Sequence, residues 1–155
     1  MNRRTLLKRT LALSAVSVAA SAGLLTPGQV LAAYPKNAFE AKDTASALSA
    51  ALGSSGFEHS DGIEIKAPDI AENGSVVPVT VEVSSALSNV ESISILAESN
   101  GTPLVAIFNL NGSEAFVSTR IKMGKTGDVV AVVKSGGKLY SNKKEVKVTI
   151  GGCGG

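Results

Sequence analysis

Apolar and polar positions divide the chain into two regimes. From Asp61 onward apolar residues recur with period two. Val77, Val79, Val81 and Val83 alternate with Pro78, Thr80 and Glu82, which predicts a strand with one buried face. Pro78 cannot donate to a ladder, so it places that strand near an edge or a bulge. Ile93 and Ile95 predict a second strand, and residues 104–110, 115–122, 129–133 and 139–150 predict the rest. Asn100-Gly101, Asn111-Gly112 and Gly136-Gly137 fall between these runs and supply the positive φ angles of tight hairpin turns. Upstream of Asp61 the period is helical. Asn37-Ala38-Phe39-Glu40 has the form of a capping box, Ala41, Ala45, Leu48 and Leu52 follow at helical spacing, and Gly53 ends the run. The polar stretch 53–62 reads as a loop. One helix and about seven short strands joined by turns predict a mostly β fold, an immunoglobulin-like antiparallel β-sandwich with one N-terminal helix.

The first thirty or so residues do not share this patterning. Asn2-Arg3-Arg4-Thr5-Leu6-Leu7-Lys8 has the paired arginines of a twin-arginine export signal. The uncharged apolar stretch 11–25 is shorter than the ~20 residues that span a bilayer as a helix. Pro27-Gly28 breaks it, and Val30-Leu31-Ala32 has small or apolar residues where a signal peptidase reads. We expect residues 1–32 to be removed, by cleavage after Ala32 or, as a near alternative, Ala33, leaving 33–155 as a single periplasmic domain. Removal changes the charge. Four of the 15 basic residues, Arg3, Arg4, Lys8 and Arg9, go with the leader, so 11 remain against 13 acidic residues, a net charge of −2. No basic stripe remains to bind a nucleic-acid backbone.

Cys153 is the only cysteine. In an exported protein a single cysteine signals an intermolecular bond or a working thiol. It stands in Gly151-Gly152-Cys153-Gly154-Gly155, directly after the alternating strand Val146, Val148 and Ile150. Side-chain packing is predicted to stop at Ile150, with residues 151–155 forming a flexible arm. Extended, five residues reach roughly 17 Å. Without a Cβ on its neighbours, the cysteine can enter a narrow pocket of another protein. That arrangement suits a cargo site that visits several active sites. It also suits a tail that cross-links two copies. His59 beside Ser60 and Asp61 resembles a catalytic triad only in its letters, and it reads as a solvated loop histidine. One Cys and one His fall short of the three or four ligands of a metal site, and no haem-attachment motif or nucleotide loop is present. No resolving cysteine accompanies Cys153, which argues against a thiol–disulfide oxidoreductase.

These residues resemble a known family. The glycine-flanked cysteine, the strand Val146-Lys147-Val148-Thr149-Ile150 before it and the twin-arginine leader are similar to SoxY, the sulfur-carrier subunit of the periplasmic sulfur-oxidation (Sox) system. So are Ala67-Pro68-Asp69-Ile70-Ala71-Glu72-Asn73-Gly74 with Val77-Pro78-Val79, and Ser118-Thr119-Arg120-Ile121-Lys122-Met123. Gly101 and Thr102 depart from the Asn-Pro segment that relatives often have there. The resemblance implies an immunoglobulin-like subunit paired with a second small β-rich subunit, SoxZ. It implies that Cys153 is the covalent sulfur-attachment residue and that Gly151, Gly152, Gly154 and Gly155 form the arm. The implied cycle loads thiosulfate through the cytochrome SoxXA, releases sulfate through the hydrolase SoxB and, where present, oxidises the remaining sulfur through SoxCD. The chain would then be a carrier with no catalytic residues, metal or cofactor, apart from sulfur bound as thiosulfonate or sulfane on Cys153. Two other readings remain: a ubiquitin-like carrier loading sulfur on its terminal carboxylate, and an exported immunoglobulin-like binding module that dimerises through Cys153.

The residues next to Cys153 offer it no activation. The terminal carboxylate two residues on disfavours a thiolate, and no Lys, Arg or His is adjacent in sequence. Alkylation followed against pH is therefore expected to show no depressed thiol pKa in the isolated chain, with activation only when partner enzymes are added.

Overall fold

The computed structural model describes residues 34–152; the predicted leader and Cys153, Gly154 and Gly155 lie outside the described residues. Among the described residues two helices come first, α1 (Lys36–Glu40) and α2 (Thr44–Leu52). Nine strands follow: β1 (Glu58–His59), β2 (Ile63–Lys66), β3 (Ile70–Asn73), β4 (Val77–Val83), β5 (Val90–Ala97), β6 (Leu104–Asn109), β7 (Phe116–Ile121), β8 (Gly127–Ser135) and β9 (Lys138–Ile150).

The single helix expected from the capping box at Asn37 is two helices. α1 starts after Pro35 without a side-chain cap, and Ala41 is already extended. Asp43 supplies the break. Its backbone is extended and its carboxylate accepts the Ser46 N–H at 2.8 Å, capping a new helix in the middle of the periodic run. That backbone hydrogen bond also holds the Asp43 carboxyl below its ordinary pKa. Gly53 ends α2 in the left-handed conformation, with its N–H on the Ser49 carbonyl, as the pattern predicted.

Two sheets face each other. The larger has the order β1-β9-β8-β5-β6, with β3 also on β9, and the smaller is β2-β4-β7. Ile93, Ile95, Ala97, Val129, Ala131 and Val133 of the larger sheet meet Ile63, Val77, Val79, Val81, Val117 and Ile121 of the smaller in one core. Because side chains alternate along a strand, β5 and β8 present a second set, Leu96, Val130 and Val132, to the opposite face. There Ala38, Ala47 and Leu48 of the helices cover them. The central strands are thus buried on both sides, between helices and the second sheet.

The strand runs appear where the alternation placed them. Pro78 lies on β4 opposite Arg120 of β7, at a level β2 does not reach, since β2 pairs only with residues 80–83. Three expectations change. β1 and β3 run parallel to β9, so pairing is not wholly antiparallel, and β1 lies inside the stretch read as loop. Two- and four-residue strands are too short to show an alternation. Asn111 and Gly112 have the expected positive φ, 47° and 86°, yet they join β6 to β7 in the other sheet and so form a crossover. Asn100-Gly101 does join the paired strands β5 and β6 but without positive φ, whereas Gly136-Gly137 turns β8 into β9 with both residues in that region.

One polar atom in this packing has no compensation. Ser94 of β5 is fully buried, and its Oγ has no hydrogen-bond partner among the described residues. An unsatisfied buried hydroxyl costs about 1–3 kcal/mol. Ser94→Ala is therefore expected to raise the urea unfolding midpoint with the slope unchanged; a lowered midpoint would show that the hydroxyl has a partner.

Candidate functional site

The tail that carries Cys153 leaves the body at the end of β9. This 13-residue strand changes partners along its length. Residues 138–146 pair antiparallel with β8, and Lys147, Val148 and Ile150 pair parallel with Ile70, Ala71 and Asn73 of β3. The junction is held by the Lys147 N–H on the Asp69 carbonyl at 3.0 Å and the Val148 N–H on Thr126 Oγ1 at 2.9 Å. Val146 and Val148 point into the sandwich core. Side-chain packing thus fixes the direction of the strand up to its last turn outward.

Packing was expected to stop at Ile150, but the chain stays engaged for two further residues. The Gly74 N–H donates to the Ile150 carbonyl at 2.7 Å, the Met123 N–H to the Gly74 carbonyl at 2.7 Å, and the Gly152 N–H to the Met123 carbonyl at 3.0 Å. Three backbone segments interlock here: the turn after β3, the loop after β7, and the tail. Gly152 is buried. The glycines permit this by lacking a Cβ. One added at Gly152 would stand 2.9 Å from the Gly74 oxygen, one at Gly151 would collide with the Gly124 oxygen, and one at Gly74 would collide with the Met123 oxygen and lie 2.8 Å from the Gly152 nitrogen. None of the three has positive φ. Close approach, and not a special backbone conformation, is what demands glycine at these positions. Among the described residues the hydrogen bond beyond Ile150 is that of the Gly152 N–H, and one net hydrogen bond is worth about 1 kcal/mol. That is a factor of about five in an equilibrium.

Beside Gly152 lies an open depression of about 470 Å³ bounded by the β5–β6 turn and the loop after β7. Glu98 and Lys125 line it with opposite charges, together with Ser99, Asn100, Gly101 and Gly124. The groups whose pKa is displaced do not line it. Lys66 and Lys143 are raised chiefly by hydrogen bonds to Glu82 and Asp128, and Glu91 is lowered chiefly by Lys134, in exposed ion pairs.

The letters around His59 assemble no catalytic centre. His59 Nε2 is 3.0 Å from Asp61 Oδ1 on the exposed surface, while Ser60 Oγ accepts the Gly62 N–H and closes a turn. Among the described residues no three of His, Cys, Asp and Glu come together as metal ligands.

The family model for the sulfur oxidation protein SoxY matches residues 48–153. The chain belongs to the SoxY family. The structure of the sulfur carrier protein SoxY from Chlorobium limicola f thiosulfatophilum is 44% identical, with a TM-score of 0.62, and the match covers 74% of this chain and 97% of that one. A crystal structure of an engineered protein shares 19% identity over 56% of this chain and 19% of its own, at a TM-score of 0.40. No curated protein matches the chain.

The stretches that carried the SoxY resemblance outside the tail now have a location. Residues 67–74 end in one wall of the seat, and residues 118–123 end in the other. Asn100 is the member of this neighbourhood that pattern reading missed. The sequence places it in a turn, and only the fold brings its side chain to the loop after β7.

Glycine at the seat and glycine in the neighbouring turn should respond oppositely to a methyl group. Gly74→Ala is expected to cost about 1–3 kcal/mol through overpacking. Gly101 has open space around its Cβ direction and no positive φ, so Gly101→Ala should be neutral or slightly stabilising. Thermal melts of the two variants check this; equal effects would mean that the interlock is not tight.

Proposed function

We propose that this SoxY-family chain is a covalent sulfur carrier in thiosulfate oxidation, with Cys153 as the attachment site and residues 151–155 as the arm that presents it. The observation that carries the reading is the family match, which runs through residue 153 and so includes the chain's one thiol. The interlocked Gly151 and Gly152 add support, because they bring the backbone next to that thiol to a defined place on the body.

The chemistry follows from a single thiol. Loading joins the cysteine sulfur to the outer sulfur of thiosulfate. The thiol proton and two electrons leave, the electrons going to a c-type cytochrome complex (SoxXA), and a cysteine S-thiosulfonate results. Water then attacks the terminal sulfone in a hydrolase (SoxB). Sulfate departs and a persulfide stays on the cysteine, open to further oxidation by SoxCD where that branch exists. Each step needs an outside enzyme, so the chain acts as a cosubstrate and not a catalyst. In this reading it is exported by the twin-arginine pathway, loses residues 1–32, and works in the periplasm as the 33–155 domain paired with SoxZ.

Intact mass of protein from cells oxidising thiosulfate, taken before and after reduction, tests the proposal. A reducible adduct on the peptide containing Cys153 is expected, and Cys153→Ser should carry none and block thiosulfate-dependent cytochrome reduction. Unmodified protein or a plain disulfide dimer, under conditions that preserve such adducts, would favour a binding module.

A further inference from the structure

The loop that seats Gly152 is itself held by a side chain from the β5–β6 turn. The outer wall of the seat is the loop after β7, and on that loop the Met123 carbonyl accepts the Gly152 N–H. The loop has no strand partner there. Asn100, in the β5–β6 turn, holds it from behind with both ends of its carboxamide. Nδ2 donates to the Lys122 carbonyl at 2.8 Å, and Oδ1 accepts the Gly124 N–H at 2.9 Å. The two bonds bracket Met123, one residue on either side. Ser99 Oγ adds a donation to the Lys125 carbonyl at 2.9 Å.

We propose that Asn100 is a positioning residue for Cys153: by bracketing Met123 it holds the acceptor that seats Gly152, and so fixes the point from which the thiol reaches out. The carbonyl of Lys122 and the N–H of Gly124 call for a donor and an acceptor side by side, and the carboxamide of Asn100 offers both on one short planar group, whereas a carboxylate only accepts and an ammonium only donates. The consequence for reach is geometric. With Gly152 seated, the root of the arm is Gly152 itself, which lines the depression together with Lys125 and Glu98. With the seat lost, the root of the arm retreats to Ile150. Two more residues then swing free, adding about 7 Å of reach and a larger volume to search. Because the single Gly152 bond is weak, the state of this loop decides between a short, aimed arm and a long, loose one. The meaning of the device rests on the carrier reading of Cys153; its existence does not.

Amide hydrogen exchange followed by NMR on the full mature chain tests it. In the wild type the Gly152 N–H is expected to exchange several-fold more slowly than in an unstructured peptide. In Asn100→Ala that protection should vanish, and the Met123 and Gly74 amides should lose at least about threefold, while Ile95 and Val132 in the core stay unchanged. Gly151→Ala provides the second arm. It should expose Gly152 yet leave the Gly124 N–H, bonded to Asn100, protected. A nitroxide on Cys153 should give a narrower spectrum in both variants. An unprotected Gly152 in the wild type, or Gly152 exchange unaltered by Asn100→Ala, overturns the proposal. Neither result depends on sulfur loading, which intact mass decides separately.

Discussion

Double-sided burial of β5 and β8 is the constraint on which the rest of the structure depends. Val129, Ala131 and Val133 must be covered on one face of the larger sheet, and Val130 and Val132 on the other. The smaller sheet covers the first face, and two short helices cover the second. Once these layers are in place, β9 is laid along β8 in a single register over nine residue pairs. Its last residues then have only one place to go, the edge formed by β3. The position of the tail is thus a remote result of how the core is closed.

Glycine serves two purposes in this protein, and the tail uses the less familiar one. At Gly53, Gly112, Gly136 and Gly137 it supplies a backbone conformation that other residues adopt with strain. At Gly74, Gly151 and Gly152 it lets three backbones meet at hydrogen-bond distance. The second use produces a contact made almost entirely of main-chain atoms. Such a contact holds direction without committing much binding energy.

Much of this was legible in the sequence. Alternating and continuous apolar runs located the six longer strands, the glycine after Leu52 ended a helix, and the tail cysteine stood out by its isolation. Other features were not legible, for particular physical reasons. Asp43 competes with helix continuation through one side-chain bond, and such a choice is invisible to periodicity. β3 pairs parallel with β9 across a long stretch of chain, and four residues carry no register signal of their own. The uninterrupted apolar run 129–133 did contain a clue to burial on both faces, but alone it does not say what lies on each side. At the tail, glycine composition suggested freedom from Ile150 onward. Whether a glycine is free or tightly packed depends on what approaches it, and here the approaching atoms come from Gly74 and Gly124.

The interlock at Gly74 also has a bearing on how the chain matures. Its parts come from three distant stretches: the turn after β3, the loop after β7 held by Asn100, and the residues after β9. Each long-range closure costs chain entropy before any contact rewards it. The seat therefore exists only when all three regions have reached their native places. A chain with β3 unpaired lacks the Gly74 bonds to Ile150 and Met123, and one with the loop after β7 out of place lacks the acceptor for the Gly152 N–H. Seating of the tail is in this sense a completion signal: it marks a molecule whose assembly has finished.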